Sequence, residues 1–590
     1  MSTVAPDHLT NISSSLMLFS LSECGLQGSF PENIFRLPNL HTLDLSWNYN
    51  LRNTFPKVNW SNPLTYLDVS NTQLSGEWPH PIGNLNSFSS IYMQRCNFIA
   101  SIPTSIALSS NSLSGSIPSG VRGLKNLAAI YLDNNLLDGT IPYWLFSLPS
   151  LEKLNLNDNQ LSGHLDEFQN NSLQEIKLSN NRLHGSIPSS IFELVNLTYL
   201  HLSSNNLSGA VELYKSAKIM NLEVLRLSYN NLSTSTKNNV NSSFPQLYWL
   251  ALSSCNINEF PEILSTADNL QRLDLSNNKI HGHVPNRLFN IREFPRQLYN
   301  CTKLQVLHLS SNYLVGPIPD DINRISGLRF LGLGYNNFSG DIPLAIGQLS
   351  ELKVLNLYHN EFNSTFPVEI GDLLNLQVLG LSYNDKFVPA KIPFEFGKLK
   401  NLTTVYFAEA NLIGEIPDSF NNLSSLEYLD LSINHLEGKI PSWVFRFKNL
   451  TILSLCRNRL SGKILETTET LNLVEIYLSM NNLMGSVPED FGKLQNLQLL
   501  TLFSNQLAGE ILSSIGLIPN LKWFLVFNNS LSGVLPPELG LLSMLEVFED
   551  DNRQFMFENC VGGPNKISSK LIKRLVFNAT KKMIWFESGS

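Results

Sequence analysis

Charge is scarce in this 590-residue chain: Asp, Glu, Lys and Arg make up 15% of it and balance at −8, with a sequence pI of about 5.8. A mildly acidic chain without a basic stripe suits neither nucleic acid nor an anionic membrane as its main partner. Cysteine is scarcer still. Cys24, Cys96, Cys255, Cys301, Cys456 and Cys560 stand far apart with no CxxC or metal-ligand spacing, so neither a disulfide framework nor a metal centre is read from them. No window of about 18 uninterrupted apolar residues occurs, which predicts no membrane insertion by the chain itself. The opening "MSTVAPDHLTNISSSLMLFSLSEC" has no basic n-region, and its apolar run stops at Ser20; no export signal is read there, so the chain as given is expected to be cytoplasmic or unstable. Catalytic signatures are missing too. No Gly-rich phosphate loop, kinase HRD or DFG pair, GxSxG, HExxH or Cys/His cluster occurs in a plausible context. The expectation is a non-enzyme with no cofactor.

Asn, Leu and Ser are what the chain has in plenty. Residues 426–441 read "LEYLDLSINHLEGKIP", and the pattern LxxLxLxxNxLxGxIP slides along almost the whole sequence. It is a leucine-rich repeat. Leu at alternate positions gives a strand with one face buried, and the Asn after it turns the chain and bonds the backbone of neighbouring coils. The Gly-x-Ile-Pro segment returns on the convex side by an irregular or short 3₁₀ path. One coil cannot bury its own Leu, so stacking supplies the core. The predicted fold is a leucine-rich-repeat solenoid of the α/β class, a right-handed, curved, parallel-strand superhelix.

The ladder position falls at 24, 48, 72, 96, 111, 135, 159, 181, 205, 230, 255, 278, 312, 336, 360, 384, 410, 434, 458, 481, 505, 529 and 553. Cys24, Cys96 and Cys255 sit on it, where Cys replaces Asn, which argues for a structural role. Two intervals break the period: 96 to 111 spans 15 residues and 278 to 312 spans 34. The second holds two convex halves, at Pro285 and Pro295, with no strand between them. It reads as a deletion or splice through two repeats, and predicts a bulge with unpaired edge groups on the concave side. The expected organisation is 1–290 and 291–555 as two repeat blocks, the first irregular near 96–111, with 556–590 a non-repeat tail. That tail is basic through Lys582 and reads as either a non-homologous end or a short partner-binding segment.

The "LSGxIP" phrase on a 24-residue period resembles the plant class of leucine-rich repeats, over roughly residues 10–555. "CGLQGSFPENIFRLPNLHTLDLSWN" and "NLEVLRLSYNNLS" resemble plant receptor-like proteins of the Cf type, which lack a kinase. "QLYNCTKLQVLHLSSNYLVGPIPDDI" and "FEFGKLKNLTTVYFAEANLIGEIPDSF" resemble ectodomains of HAESA-like peptide-receptor kinases, whose members carry a separate Ser/Thr kinase domain. The mixture raises a fusion of two receptor fragments, or a gene model spanning two loci. The family's capping segments, membrane helix and kinase are absent from the residues given. By resemblance the place is the extracellular side of the plasma membrane, and the partners are a peptide or protein ligand and a co-receptor kinase.

Strand-flanking residues on the concave face carry no core duty, so their identities are informative. In the first block they are small and polar, as in Ser203, Ser204, Ser253, Ser254 and Ser276. The second block places Tyr335, Tyr358, His359, Tyr383, Tyr406, Glu409, Asp430, Arg457, Tyr477, Phe503 and Phe527 there. Two readings are open: this aromatic column holds an extended peptide, or the rings pack on one another across coils. The resemblance implies an arginine pair that captures a ligand's terminal carboxylate. Arg457 and Arg459 match the spacing, but they flank ladder Asn458, so only Arg457 is expected near the concave face. His201, His308 and His359 read as isolated strand histidines rather than ligands. Asn-x-Ser/Thr sequons at Asn59, Asn196, Asn206, Asn231, Asn337, Asn363, Asn401, Asn422 and Asn449 are glycosylation candidates, although the repeat itself generates "NLS" and "NLT". The favoured function is recognition of a peptide or protein in plant signalling or defence. The rivals are a fragment without independent function and a secreted inhibitor of cell-wall enzymes.

Overall fold

The computed structural model describes residues 13–549 except 30, 55–62, 77–89, 93–95, 99–110, 112, 118, 120–126, 236–242, 262–263, 265, 282–293, 466–467 and 542–544. The short 96–111 interval, Asn59 and the tail therefore lie largely or wholly outside the described residues. Two compact units divide the chain, one built from residues 1–290 and 295–312, the other from 291–294 and 313–590.

Each coil whose strand is described contributes three residues to a parallel sheet, in which sequence neighbours are sheet neighbours. In unit one the run Lys153–Asn155, Glu175–Lys177, Tyr199–His201, Val224–Arg226, Trp249–Ala251, Arg272–Asp274 and Val306–His308 is typical. Their central residues, Leu154, Ile176, Leu200, Leu225, Leu250, Leu273 and Leu307, pair in strict register and are fully buried. Unit two repeats the arrangement from Phe330–Gly332 to Val547–Glu549. Fully burying one such Leu contributes about 1.5–3 kcal/mol, and the contribution depends on the coil on either side.

The ladder asparagines hold the coils together. Asn434 Nδ2 donates to the carbonyls of Phe407 (2.7 Å), Leu431 (3.0 Å) and Ser432 (2.9 Å), and its Oδ1 accepts from the amides of Ala410 (3.1 Å) and Leu412 (2.9 Å). One side chain thus satisfies backbone groups in two coils. Cys96 and Cys255 take the same place: their Sγ atoms donate to Val69 O (3.2 Å) and Leu227 O (3.4 Å). Burial pushes the two thiols up to about 11 and about 12, so they stay protonated donors. A second ladder runs along the return side. Asn39, Asn196, Asn375, Asn401, Asn472 and Asn520 each donate Nδ2 to a carbonyl of the preceding coil at 2.7–2.9 Å.

The return path is a five-residue 3₁₀ turn opened by proline, as at Pro343, Pro367, Pro393, Pro417 and Pro441. Proline fixes φ and lacks the N–H that a first turn leaves unpaired. Glycine inside these turns sets how close coils come: a Cβ on Gly371 would lie 2.6 Å from Glu395 O. Where it is described, the residue before the ladder position adopts a left-handed backbone, for example Asn134, Asp158, Ile433 and Arg457 at φ 54–57°. For β-branched Ile433 this is a strained place.

One expectation fails at the joint between ladder positions 278 and 312. Among the described residues the predicted unpaired edge groups are not found. Arg272, Leu273 and Asp274 pair directly with Val306, Leu307 and His308, Asn312 Nδ2 reaches Leu275 O at 2.9 Å, and Ile280 N reaches Asn312 Oδ1 at 3.0 Å. The strand and the ladder each need only a few residues per coil, so surplus chain between them leaves the sheet intact. The stretch around Pro285 lies outside the described residues. No helix among the described residues is long and apolar enough to cross a membrane.

Candidate functional site

The sheet face of each unit is a grid. Its columns are the residues flanking the buried strand centre and the two residues before the ladder position, repeated at the strand spacing of about 4.8 Å. In unit two the column before the ladder brings three rings together. Tyr335 stacks on His359 at 4.1 Å (13° between planes), and His359 stacks on Tyr383 at 4.2 Å (11°). Tyr358 stands edge-on to Tyr335 at 5.3 Å, in space that Gly334 leaves open: a Cβ there would meet the Tyr358 ring at 2.8 Å. Tyr335 remains 46% exposed, and Tyr358, His359, Tyr383 and Tyr406 are half-buried. Glu409 follows Tyr383 in this column and Arg457 stands two coils farther on, both half-buried with left-handed backbones, while Arg459 is exposed.

The centre of the grid holds a buried acid. Asp430 is 2% exposed and accepts from the Ser432 amide (3.0 Å) and hydroxyl (2.6 Å). Burial raises its carboxyl to about 6, against the lowering effect of hydrogen bonds from Ser432 and Ser454. Tyr406 and Tyr428, 4.7 Å apart, flank it, and burial followed by the Asp430 charge keeps both phenols above the ordinary range. Farther on, Tyr477 donates to Glu475 (2.8 Å) and packs on Cys456 and Leu499 with Ile452 and Trp523. Phe503 and Phe527 stack at 4.4 Å and 7°, closed in by Leu525, Met480 and Val547.

Four residues assigned to an accessible column from sequence are therefore buried on that face: Asp430, Tyr477, Phe503 and Phe527. The cause is the exact register, which sets equivalent rings of successive coils one strand apart, at stacking distance. Tyr428, Leu499, Trp523 and Met480 complete the face and were not picked out. Their signal was available, since each occupies a column position where the repeat accepts any residue.

Unit one departs further from the sequence reading. Beside the serines its sheet face carries cations over rings. Lys177 Nζ lies 4.6 Å from the Tyr199 ring centroid, and Arg226 and Arg272 approach Trp249 at 4.3 and 5.0 Å. His201 is buried rather than superficial. Burial, then Arg226 and Lys177, hold its imidazole down at about 3, so it is neutral. His308 borders Asp274 at 3.5 Å, and His359 lies beyond its strand, in the ring stack. Among the described residues no cluster of His, Cys, Asp and Glu could hold a metal ion.

The described sequon asparagines are exposed. On Asn196, Asn401 and Asn337 the nitrogen a glycan would occupy already donates, to Asn171 O, Leu374 O and Glu361 Oε1.

Two repeat families match parts of the chain, "Leucine rich repeat" over residues 104–161 and "Leucine Rich Repeat" over 63–85, 172–194, 269–291, 303–325, 351–373, 425–447 and 472–494. The ectodomain of the plant membrane receptor kinase GASSHO1/SCHENGEN3 from Arabidopsis thaliana, solved with CASPARIAN STRIP INTEGRITY FACTOR 2, is 30% identical at a TM-score of 0.74, covering 90% of this chain and 69% of that one. The chain belongs to the leucine-rich-repeat ectodomains of plant receptors. The HAESA ectodomain of Arabidopsis, solved with the peptide hormone IDA and the co-receptor SERK1, is 29% identical at a TM-score of 0.69, covering 89% and 88%. Receptor-like protein 6 of Arabidopsis thaliana is 36% identical over 80 residues, 14% of this chain. That alignment spans only 8% of the receptor-like protein's length.

Proposed function

We propose that this ectodomain recognises an extended peptide or protein segment laid across the strands of unit two, outside the plasma membrane, and signals through a separate co-receptor kinase. The observation that carries the reading is the ring group Tyr335, Tyr358, His359, Tyr383 and Tyr406, which keeps part of its surface open on a face with no core duty. Rings already stacked on one another lose little side-chain freedom when a ligand covers them. The solved relatives with bound peptide ligands support the same use. Binding needs no reaction.

The test is selection of a phage-displayed peptide library on the intact chain, followed by affinity measurement on a Tyr383→Ala, Tyr406→Ala double variant. Truncating central anchors of a hot spot typically costs about 2 kcal/mol or more, so affinity should fall well over tenfold while circular dichroism stays unchanged. Peptides that bind both proteins equally would place recognition elsewhere.

A further inference from the structure

The cation-bearing face of unit one has no part in the reading above. Strand register lines up Lys177, His201 and Arg226 in one column and Glu175, Tyr199, Val224, Trp249 and Arg272 in the other. Trp249 thus lies between guanidinium groups supplied by the coil before it and the coil after it, at 4.3 and 5.0 Å. An indole face holds a guanidinium plane in place and leaves its edge donors free. Lys177 is paired with Glu175. Arg226 and Arg272 have no carboxylate within ion-pair distance among the described residues, although Asp274 stands on the same sheet: it accepts from the Ser276 amide (3.0 Å) and hydroxyl (2.7 Å) and faces His308. Arg226 Nε is buried without a hydrogen-bond partner, and the next residue in its column, Ala251, offers no acceptor.

Guanidinium edges without a carboxylate partner are met most strongly by an ionised acceptor. We propose that the sheet face around Arg226, Trp249 and Arg272 binds the carboxylates of an acidic peptide segment. Arg226 meets one carboxylate with the edge donors that its stacked guanidinium keeps free, and Arg272 meets the next with its own. Spacing favours an extended chain, because the two arginines are two coils apart, about 10 Å.

The probe is a fluorescein-labelled decapeptide of alternating glutamate and glycine, with its glutamine counterpart as control, measured by anisotropy on the intact chain at low and physiological salt. The acidic peptide should bind and the glutamine peptide should not, with affinity falling as salt rises. Arg272→Gln, at an exposed position, and Arg226→Gln should each lower affinity at least tenfold with circular dichroism unchanged; Arg272→Gln alone decides if Arg226→Gln does not fold. The Tyr383→Ala, Tyr406→Ala variant should bind the probe as the native chain does, which separates this site from the unit-two surface. Equal binding of both peptides, full affinity in Arg272→Gln, or displacement by an equal concentration of inorganic phosphate would overturn the proposal.

Discussion

Replacing Asn434 by alanine tests the ladder where its bonds are fullest. The substitution removes the acceptor of two buried amides, Ala410 and Leu412, and the donor to Phe407 O, Leu431 O and Ser432 O. A buried donor left without a partner costs about 1–3 kcal/mol. Taking the two amides alone, and allowing water to reach part of the gap, gives a loss of about 2–4 kcal/mol. Coils contact only their neighbours, so the loss should appear as local opening rather than as one shifted transition. Hydrogen exchange is the suitable assay, since about 3 kcal/mol is on the order of a hundredfold in protection. Protection should drop at Ala410, Leu412 and the Tyr428–Asp430 strand, and much less at Phe330–Gly332, several coils away. His435→Ala, exposed beside the ladder, is the control and should stay within about 0.5 kcal/mol. If both variants exchange alike, the ladder does not carry the stability assigned to it.

Ile433→Asn should raise thermal stability, by about 1 kcal/mol, because φ of 56° penalises a branched side chain and suits asparagine; a lower melting temperature would contradict the strain. Gly371→Ala should destabilise by about 1–3 kcal/mol in denaturant titration, since its Cβ would meet backbone that cannot turn aside. The two units should answer acid in opposite directions. His201 is held at about 3 when folded, so its stabilising effect is complete above its ordinary value near 6.5 and is lost as pH falls. Asp430 is raised to about 6 when folded, so its effect is complete below about 4 and is lost as pH rises through 6. Exchange at pH 5 against pH 7 should show weaker protection at Tyr199–His201 and stronger protection at Tyr428–Asp430, and Asp430→Asn should abolish the second response.

The sequence by itself determined the coil. A period of 24, an Asn five residues past the strand's middle Leu, and proline at the return turn each act within one coil or the next, so the strands, the 3₁₀ turns and the ladder were legible, down to cysteine standing in for asparagine at 96 and 255. Variable positions were legible as a face but not as a surface. Whether Phe503 is open or covered depends on Phe527, one coil away, and Trp249 becomes a cation platform only because Arg226 and Arg272 arrive from the coils before and after. The second asparagine ladder was hidden for the same reason: Asn401 reads locally as a sequon, and only stacking brings its amide to Leu374 O. The joint between 278 and 312 shows the limit from the other side. Its spacing is broken in sequence, yet parallel pairing needs only three residues from each coil, and tertiary structure keeps the register that the spacing had lost.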